Sequence, residues 1–184
     1  ECSDDPLFVE LVEALHAINP SANSAYYLGI LKDKAGDSKA ALAYYEESLT
    51  LEQDRYRKAD ILYKIAVKFK KSGLRSKSRS YASKALKNRP SMGKAYMLIA
   101  SLYAASANDC GNTQFEKRAV YWLAATTARK AATVDSGVKK TALKLAASYE
   151  GRAPSKTDIF TEGRAGETIS FSCWINNSVT VPQL

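Results

Sequence analysis

A helix, a glycine turn and a second helix recur in this 184-residue chain at a fixed spacing, with short side chains at the same places in each copy. The clearest copy runs from Ala59 to Pro90. Leu62, Ile65, Ala66 and Phe69 fall at i, i+3, i+4 and i+7, the stripe of one helix face, and Gly73 breaks that helix. Ser78, Ala82, Ala85 and Leu86 stripe the next helix before Pro90 ends it. Ala66, Ser78 and Ala85 are small enough to let two helices approach closely, so the spacing predicts a tightly packed helical hairpin. A chain built from such units is mainly α.

Residues 22–51 repeat the unit. Leu28, Gly29, Gly36, Ala41, Tyr45 and Ser48 each stand 37 positions before Ile65, Ala66, Gly73, Ser78, Ala82 and Ala85. One offset shared by both helices is what a repeat requires, and the polar linker Glu52-Gln53-Asp54 absorbs the excess length. A third copy begins at Gly93, where Tyr96, Ile99, Ala100 and Tyr103 follow Leu62, Ile65, Ala66 and Phe69 by 34 positions. Its second helix is delayed by an insertion at 106–117, after which Ala124, Ala128 and Ala131 take the places of Ser78, Ala82 and Ala85.

This order of small, aromatic and proline positions resembles the tetratricopeptide repeat (TPR). Ala25 and Lys32 depart from it, standing where a large residue and an aromatic are usual. The resemblance implies a TPR-type α-solenoid of antiparallel helix pairs over residues 1–150 and a C-terminal capping segment with a small β-hairpin over 151–184. It also implies an inner groove lined by the first helix of each repeat. Those positions are Asn23, Tyr26, Ile30 and Asp33 in repeat one, Asp60, Tyr63, Val67 and Lys70 in repeat two, and Lys94, Met97 and Ser101 in repeat three. Tyr26, Tyr63 and Met97 form a row of amphipathic anchors suited to an extended peptide or helix of a protein partner. The plainer reading is that the tyrosines only pack against the neighbouring first helix. The family's carboxylate-clamp mode needs a Lys in the row that Tyr26 and Tyr63 hold, so it is not expected here.

The two ends differ from the repeats. Residues 2–19 read as a helix capped by Asp4 or Asp5, with Pro6 early, Leu7, Leu11, Leu15 and Ile18 on its inward face and His16 on its polar side. A hairpin needs a first helix before such a second one, so this segment is either a docked capping helix or part of a longer array. Ala142, Leu145, Ala146 and Tyr149 give a terminal helix with Lys139, Lys140 and Lys144 outward. Pro154-Ser155-x-x-Asp158 signals a short capped helix through Ile159-Phe160. The period then becomes two: Ile169, Phe171, Cys173 and Ile175 alternate with polar residues and Trp174, Asn176-Asn177 supply a tight turn, and Val179 and Val181 continue a second strand. A lone hairpin is marginal, so its apolar face must lie on the helices.

A narrower resemblance covers residues 93–181. NDCG (Asn108 to Gly111), FEKRAVYW (Phe115 to Trp122), VDS (Val134 to Ser136), IF (Ile159-Phe160) and SCWINNSVTV (Ser172 to Val181) are together similar to the C-terminal region of exported TPR proteins of Bacteroidetes bacteria. Ser136, where Pro is usual, and Val181-Pro182, where a basic residue is common, are departures in detail. The resemblance implies a periplasmic or outer-membrane-associated location. If the hairpin docks at the terminal cap, Cys110 and Cys173 are brought near one another and form a disulfide; the alternative is two buried free thiols, and Cys2 is then free or paired elsewhere.

Charge is unevenly placed. Of 27 Lys and Arg, 14 lie between Arg55 and Lys94 against one acid, Asp60, in a chain of net charge +8. Lys68, Lys71, Arg75, Lys77 and Arg79 then form a basic surface that attracts acidic protein, anionic lipid or nucleic acid, unless it is simply a solvated helix face. Only Tyr81 is interleaved between Arg75 and Lys87, which argues against base stacking and makes nucleic acid an unexpected partner. No apolar run reaches the roughly 18 residues of a membrane span, so any membrane association is peripheral, and the opening Glu1-Cys2 reads as a mature or trimmed chain. There is one histidine, no phosphate-binding glycine loop, no nucleophile elbow and no metal-ligand spacing. The expectation is a non-catalytic scaffold of the cell envelope, without cofactor or metal, that binds a protein through its groove and basic surface. The alternatives are an electrostatic binder of anionic lipid or nucleic acid through residues 55–94, and an assembly subunit of an outer-membrane complex whose contacts are Trp122 and Trp174.

Overall fold

The computed structural model describes residues 6–184. The chain is mainly helical: α1 (Pro6–Ile18), α2 (Ala22–Lys34), α3 (Ser38–Leu51), α4 (Arg55–Lys71), α5 (Arg75–Asn88), α6 (Gly93–Ala104), α7 (Gln114–Val134), α8 (Lys139–Glu150) and α9 (Lys156–Glu162), then strands β1 (Thr168–Phe171) and β2 (Asn177–Thr180). No helix among these residues is long and apolar enough to cross a membrane.

Three helical hairpins follow from the repeated pattern, and each is closed by a hydrogen bond from one end of its first helix to the far end of its second. Ser48 Oγ donates to the Ala22 carbonyl (2.7 Å), Arg55 Nε to the Asn88 carbonyl (3.0 Å), and the Gly93 N–H to Asp135 Oδ2 (3.1 Å). Helices α2 and α3, α4 and α5, and α6 and α7 are therefore antiparallel. The turns of the first two hairpins carry Gly36 (φ 81°) and Gly73 (φ 74°), a left-handed backbone that glycine adopts without a Cβ penalty. The small positions do what their size allows: Ala41, Ala66, Ala82, Ala85, Ala124, Ala128 and Ala131 are fully buried between helices. Ser78 is buried as well, and its hydroxyl donates to the Ala66 carbonyl (2.7 Å), so no orphan polar group results. The polar linker caps the next helix: Glu52 accepts from the Gln53 and Asp54 N–H groups, and Asp54 accepts from the Arg57 N–H.

The first helix corrects the sequence reading. Leu11 (64% exposed), Leu15 (52%) and Ile18 (84%), with Leu7 (72%), face solvent, while Val12 is buried on the opposite side. The cause is that α1 carries two usable stripes. Phe8 meets the Tyr27 ring edge-on at 5.9 Å, and His16 has its Nδ1 hydrogen-bonded to Ser24 Oγ (2.9 Å), its Nε2 3.3 Å from a Glu47 oxygen and its ring against Tyr44. His16 is thus a packed, partnered residue of the docked face and not a polar-side surface residue. The proposed Asp4 or Asp5 cap and Cys2 lie outside the described residues.

In the third hairpin the insertion divides between a loop, 105–113, and the first turn of a lengthened α7, which opens with a capping box between Thr113 and Glu116. Asp135 accepts from both Gly93 and Gly137, holding the 3-10 turn Ser136–Val138 that leads into α8. Ala142, Ala146 and Tyr149 point inward as expected, with Leu145 partly buried beside them. The Ser155 capping box starts α9, and Arg118 ties its approach to α7 by donating to the carbonyls of Ala153 (2.7 Å) and Arg152 (3.2 Å) and pairing with Asp158 (3.0 Å).

β1 and β2 pair antiparallel with Ile169 opposite Val179 and Phe171 opposite Asn177. The ladder is shorter than the alternation implied. It ends at Phe171, and residues 172–176 form a loop in which Asn176 takes a left-handed φ of 42°, in place of a tight Asn176-Asn177 turn. Ile169, Phe171, Ile175 and Val181 still reach one core with Leu102, Phe115, Val120 and Tyr149, so the C-terminal segment shares its hydrophobic cluster with α6, α7 and α8. The Cys110 and Cys173 sulfurs stand 2.10 Å apart, at bonding distance, across a sequence separation of 63.

Candidate docking trough

The positions assigned to the inner groove meet as pairs that join one first helix to the next. From α4 to α2, Lys64 donates to the Tyr26 hydroxyl with its ammonium 4.4 Å from the ring centroid, and Lys68 pairs with Asp33. From α6 to α4, Lys94 pairs with Asp60 (2.9 Å) and lies 4.8 Å from the Tyr63 ring centroid, while Lys70 donates to Ser101 Oγ (2.8 Å). Each tyrosine of the row therefore has a lysine ammonium against it, Lys64 at the hydroxyl end of Tyr26 and Lys94 within cation–π range of the Tyr63 ring.

Around the Lys64–Tyr26 contact lie two clefts. The larger, about 480 Å³, is walled by α2, α3 and α4, with Tyr26, Ile30 and Val67 as its apolar part, Tyr45 behind them and Lys64, Lys68 and Lys71 around it. The smaller, about 150 Å³, holds Asn23, Asp60 and Arg57 on the other side of the same contact. Burial pushes the Tyr45 phenol well above its usual 10, with Asp33 and Tyr26 adding to the effect, so it remains a neutral hydrogen-bond donor at every physiological pH. Burial likewise raises Tyr63.

Met97 does not join this row. It packs with Tyr96 and Val138 against Ala131, Ala132 and Ala142, because the longer α7 and the added α8 offer it an apolar seat. The basic surface is also divided. Lys68 and Lys71 belong to the trough, but Arg75 pairs with Asp109, and Arg79 donates to the Ile175 carbonyl and lies 5.5 Å from the Trp174 ring and 6.0 Å from that of Tyr103. Trp174 in turn donates to Ser106 Oγ (3.1 Å). Lys77 lies 5.6 Å from the Phe69 ring. Of the five predicted basic-surface residues, Arg79 thus holds the C-terminal cap and Arg75 the 105–113 loop. Trp122 is packed edge-on to Phe115 at 5.9 Å, so both tryptophans already have partners within the chain.

Lys64 is the trough residue that the sequence reading passed over. Its signal was present, since Lys64, Lys68 and Lys71 fall at i, i+4 and i+7 and share one face of α4. Among the described residues, no group of three or more His, Cys, Asp or Glu side chains is placed to hold a metal ion. With the geometry established, comparison with known proteins adds no assignment: neither a protein-family model nor a curated protein sequence matches this chain.

Proposed function

We propose that this chain is a TPR-type α-solenoid scaffold that acts without catalysis, docking a partner protein along the trough formed by α2, α4 and α6. The observation that carries this reading is the Lys64–Tyr26 contact with an open cleft on either side, where amphipathic side chains are held by inter-helix pairs and still border solvent. Rigid helices presenting polar-tipped aromatic anchors suit recognition of another chain, and pre-formed positions reduce the ordering cost of binding. The compartment in this reading is the oxidising cell envelope, the periplasm or the outer-membrane surface, since a bond between Cys110 and Cys173 persists there and not in a reducing cytosol. Arg75 and Arg79 of α5 are engaged by Asp109 and by the Ile175 carbonyl, while Lys64 and Lys71 of the trough stay exposed.

Site-specific photo-crosslinking tests it. A crosslinker at Ile30 or Val67 is expected to give one discrete adduct in envelope extracts, and one at the exposed Leu143 of α8 none. The same adducts from all three positions, or from none, would refute docking in the trough.

A further inference from the structure

Resting on that reading, the cleft between α2, α3 and α4 also indicates what it holds. We propose that its occupant is an acidic peptide segment, carboxylates facing Lys64 and Lys71 and an apolar side chain seated on Tyr26, Ile30 and Val67.

Charge is the first argument. Lys64, Lys68 and Lys71 line the cleft together with Lys34, and Asp33, already paired with Lys68, is the one carboxylate among its described lining residues. Lys64 and Lys71 form no ion pair with a described residue and both side chains are exposed, so their charge is available to an incoming anion. In a half-enclosed site each such contact is screened less than on open surface.

Spacing is the second. Lys64 and Lys71 lie seven residues apart on α4, a rise of about 10 Å, a span that a peptide with several carboxylates covers and a single small anion does not.

The aromatic content separates this ligand from nucleic acid. Tyr26 is packed against the rings of Tyr27 (5.9 Å) and Tyr45 (5.8 Å) and Tyr45 is itself buried, so the cleft presents no free stacking platform for a base. Ile30 and Val67 instead offer a seat for an aliphatic or aromatic side chain. The neutral Tyr45 phenol behind them is a further donor for a carboxylate oxygen or a peptide carbonyl.

The test uses the full chain and fluorescein-labelled probes of about ten residues: an alternating Glu–Leu peptide, its Gln–Leu counterpart, and oligothymidylate of similar length. Fluorescence anisotropy is expected to show the Glu–Leu peptide binding about tenfold or more tightly than the Gln–Leu peptide, with affinity falling as salt rises. Replacing Lys64 and Lys71 with Ala is expected to remove that preference, with an unchanged circular dichroism spectrum showing that loss of the Lys64–Tyr26 contact has not disturbed the helices. The charge-reversed Lys64→Glu, Lys71→Glu variant is expected to select a Lys–Leu peptide instead. Equal binding of the Glu–Leu and Gln–Leu peptides, abolished for both by Tyr26→Ala, would overturn the acidic preference and leave the docking role standing. Oligothymidylate binding as tightly as the Glu–Leu peptide would overturn it in favour of a polyanion site. No binding by any probe would also overturn it, while the crosslinking pattern would still decide the docking role.

Discussion

Gly29 of α2 lies under the ring of Tyr45 of α3 so closely that a methyl group added at Gly29 would sit 2.6 Å from two ring carbons. The equivalent positions of the second hairpin hold Ala66 and Ala82, both fully buried. One hairpin fills its helix interface with glycine and a large ring, the other with two alanines. The pair explains how repeat one holds a large ring at the place where Ala82 stands in repeat two, and it predicts coupling. Gly29→Ala alone is expected to destabilise by about 1–3 kcal/mol through overpacking, and Tyr45→Ala alone by about 3–5 kcal/mol through a cavity. The double variant recreates the Ala–Ala arrangement and is expected to cost less than the sum by at least about 0.5 kcal/mol. Urea unfolding of the four proteins measures this; strict additivity would show that the two sites do not share the interface.

The orientation of α1 makes a second prediction. With Leu11 and Leu15 exposed and Val12 buried, Leu11→Gln and Leu15→Gln should each shift stability by no more than about 0.5 kcal/mol, as ordinary surface substitutions do. Val12→Ala should cost about 1–2 kcal/mol, from about 0.8 kcal/mol per buried carbon removed. The reverse ranking in thermal melts would mean that α1 docks through its leucine face.

What could be read from the sequence and what could not divide along physical lines. The hairpins were legible because close helix approach demands small residues at fixed offsets, and Leu28, Ala41, Ile65, Ala82 and Ala128 are buried where those offsets put them. The α1 face was not legible, because Leu11-Leu15 and Phe8-Val12 are both apolar stripes and only the surface offered by Tyr27 and Ser24 decides between them. Strand alternation located Ile169 and Phe171 correctly but overran into Cys173, since a period of two does not mark where a ladder stops. Arg79 reads as a solvated charge because its partners, the Ile175 carbonyl and the Trp174 ring, lie some ninety residues later in the chain, and Arg75 likewise because Asp109 lies in the inserted loop. The trough was half legible: Tyr26, Asp33, Asp60 and Lys94 meet as aligned, while Lys64 and the diversion of Met97 depend on packing between repeats.

The Cys110–Cys173 pair predicts how firmly the cap is held. A cross-link closing a loop of 63 residues removes denatured-chain entropy equivalent to about 4 kcal/mol. Reduction is therefore expected to lower the urea midpoint of the intact chain substantially, and Cys110→Ser with Cys173→Ser should reproduce the effect and be indifferent to reductant. Trp174 fluorescence should red-shift first on loosening, because its ring leaves Tyr103 and Ser106. A midpoint unchanged by reductant would show that the two thiols are not joined or that their bond leaves the unfolded chain unconstrained.

Acid should weaken the junction between α7 and the cap. The Asn112 N–H, 2.8 Å from Glu116 Oε2, is the main cause holding the Glu116 carboxyl below its usual 4.5; burial opposes it, and the Thr113 N–H and Arg164 reinforce it. A carboxylate with a depressed folded pKa contributes stability that is complete above the unfolded value and is lost as pH falls through the folded one. Glu116→Gln retains the amide oxygen that a capping box can use but not the charge that meets Arg164 at 3.4 Å. The variant is therefore expected to melt below the parent at pH 7, with the gap closing as pH falls below the usual carboxylate range, where the parent carboxyl takes up its proton. Thermal melts over that fall in pH decide the matter: a gap of constant size would mean that Glu116 acts through packing and not through its charge.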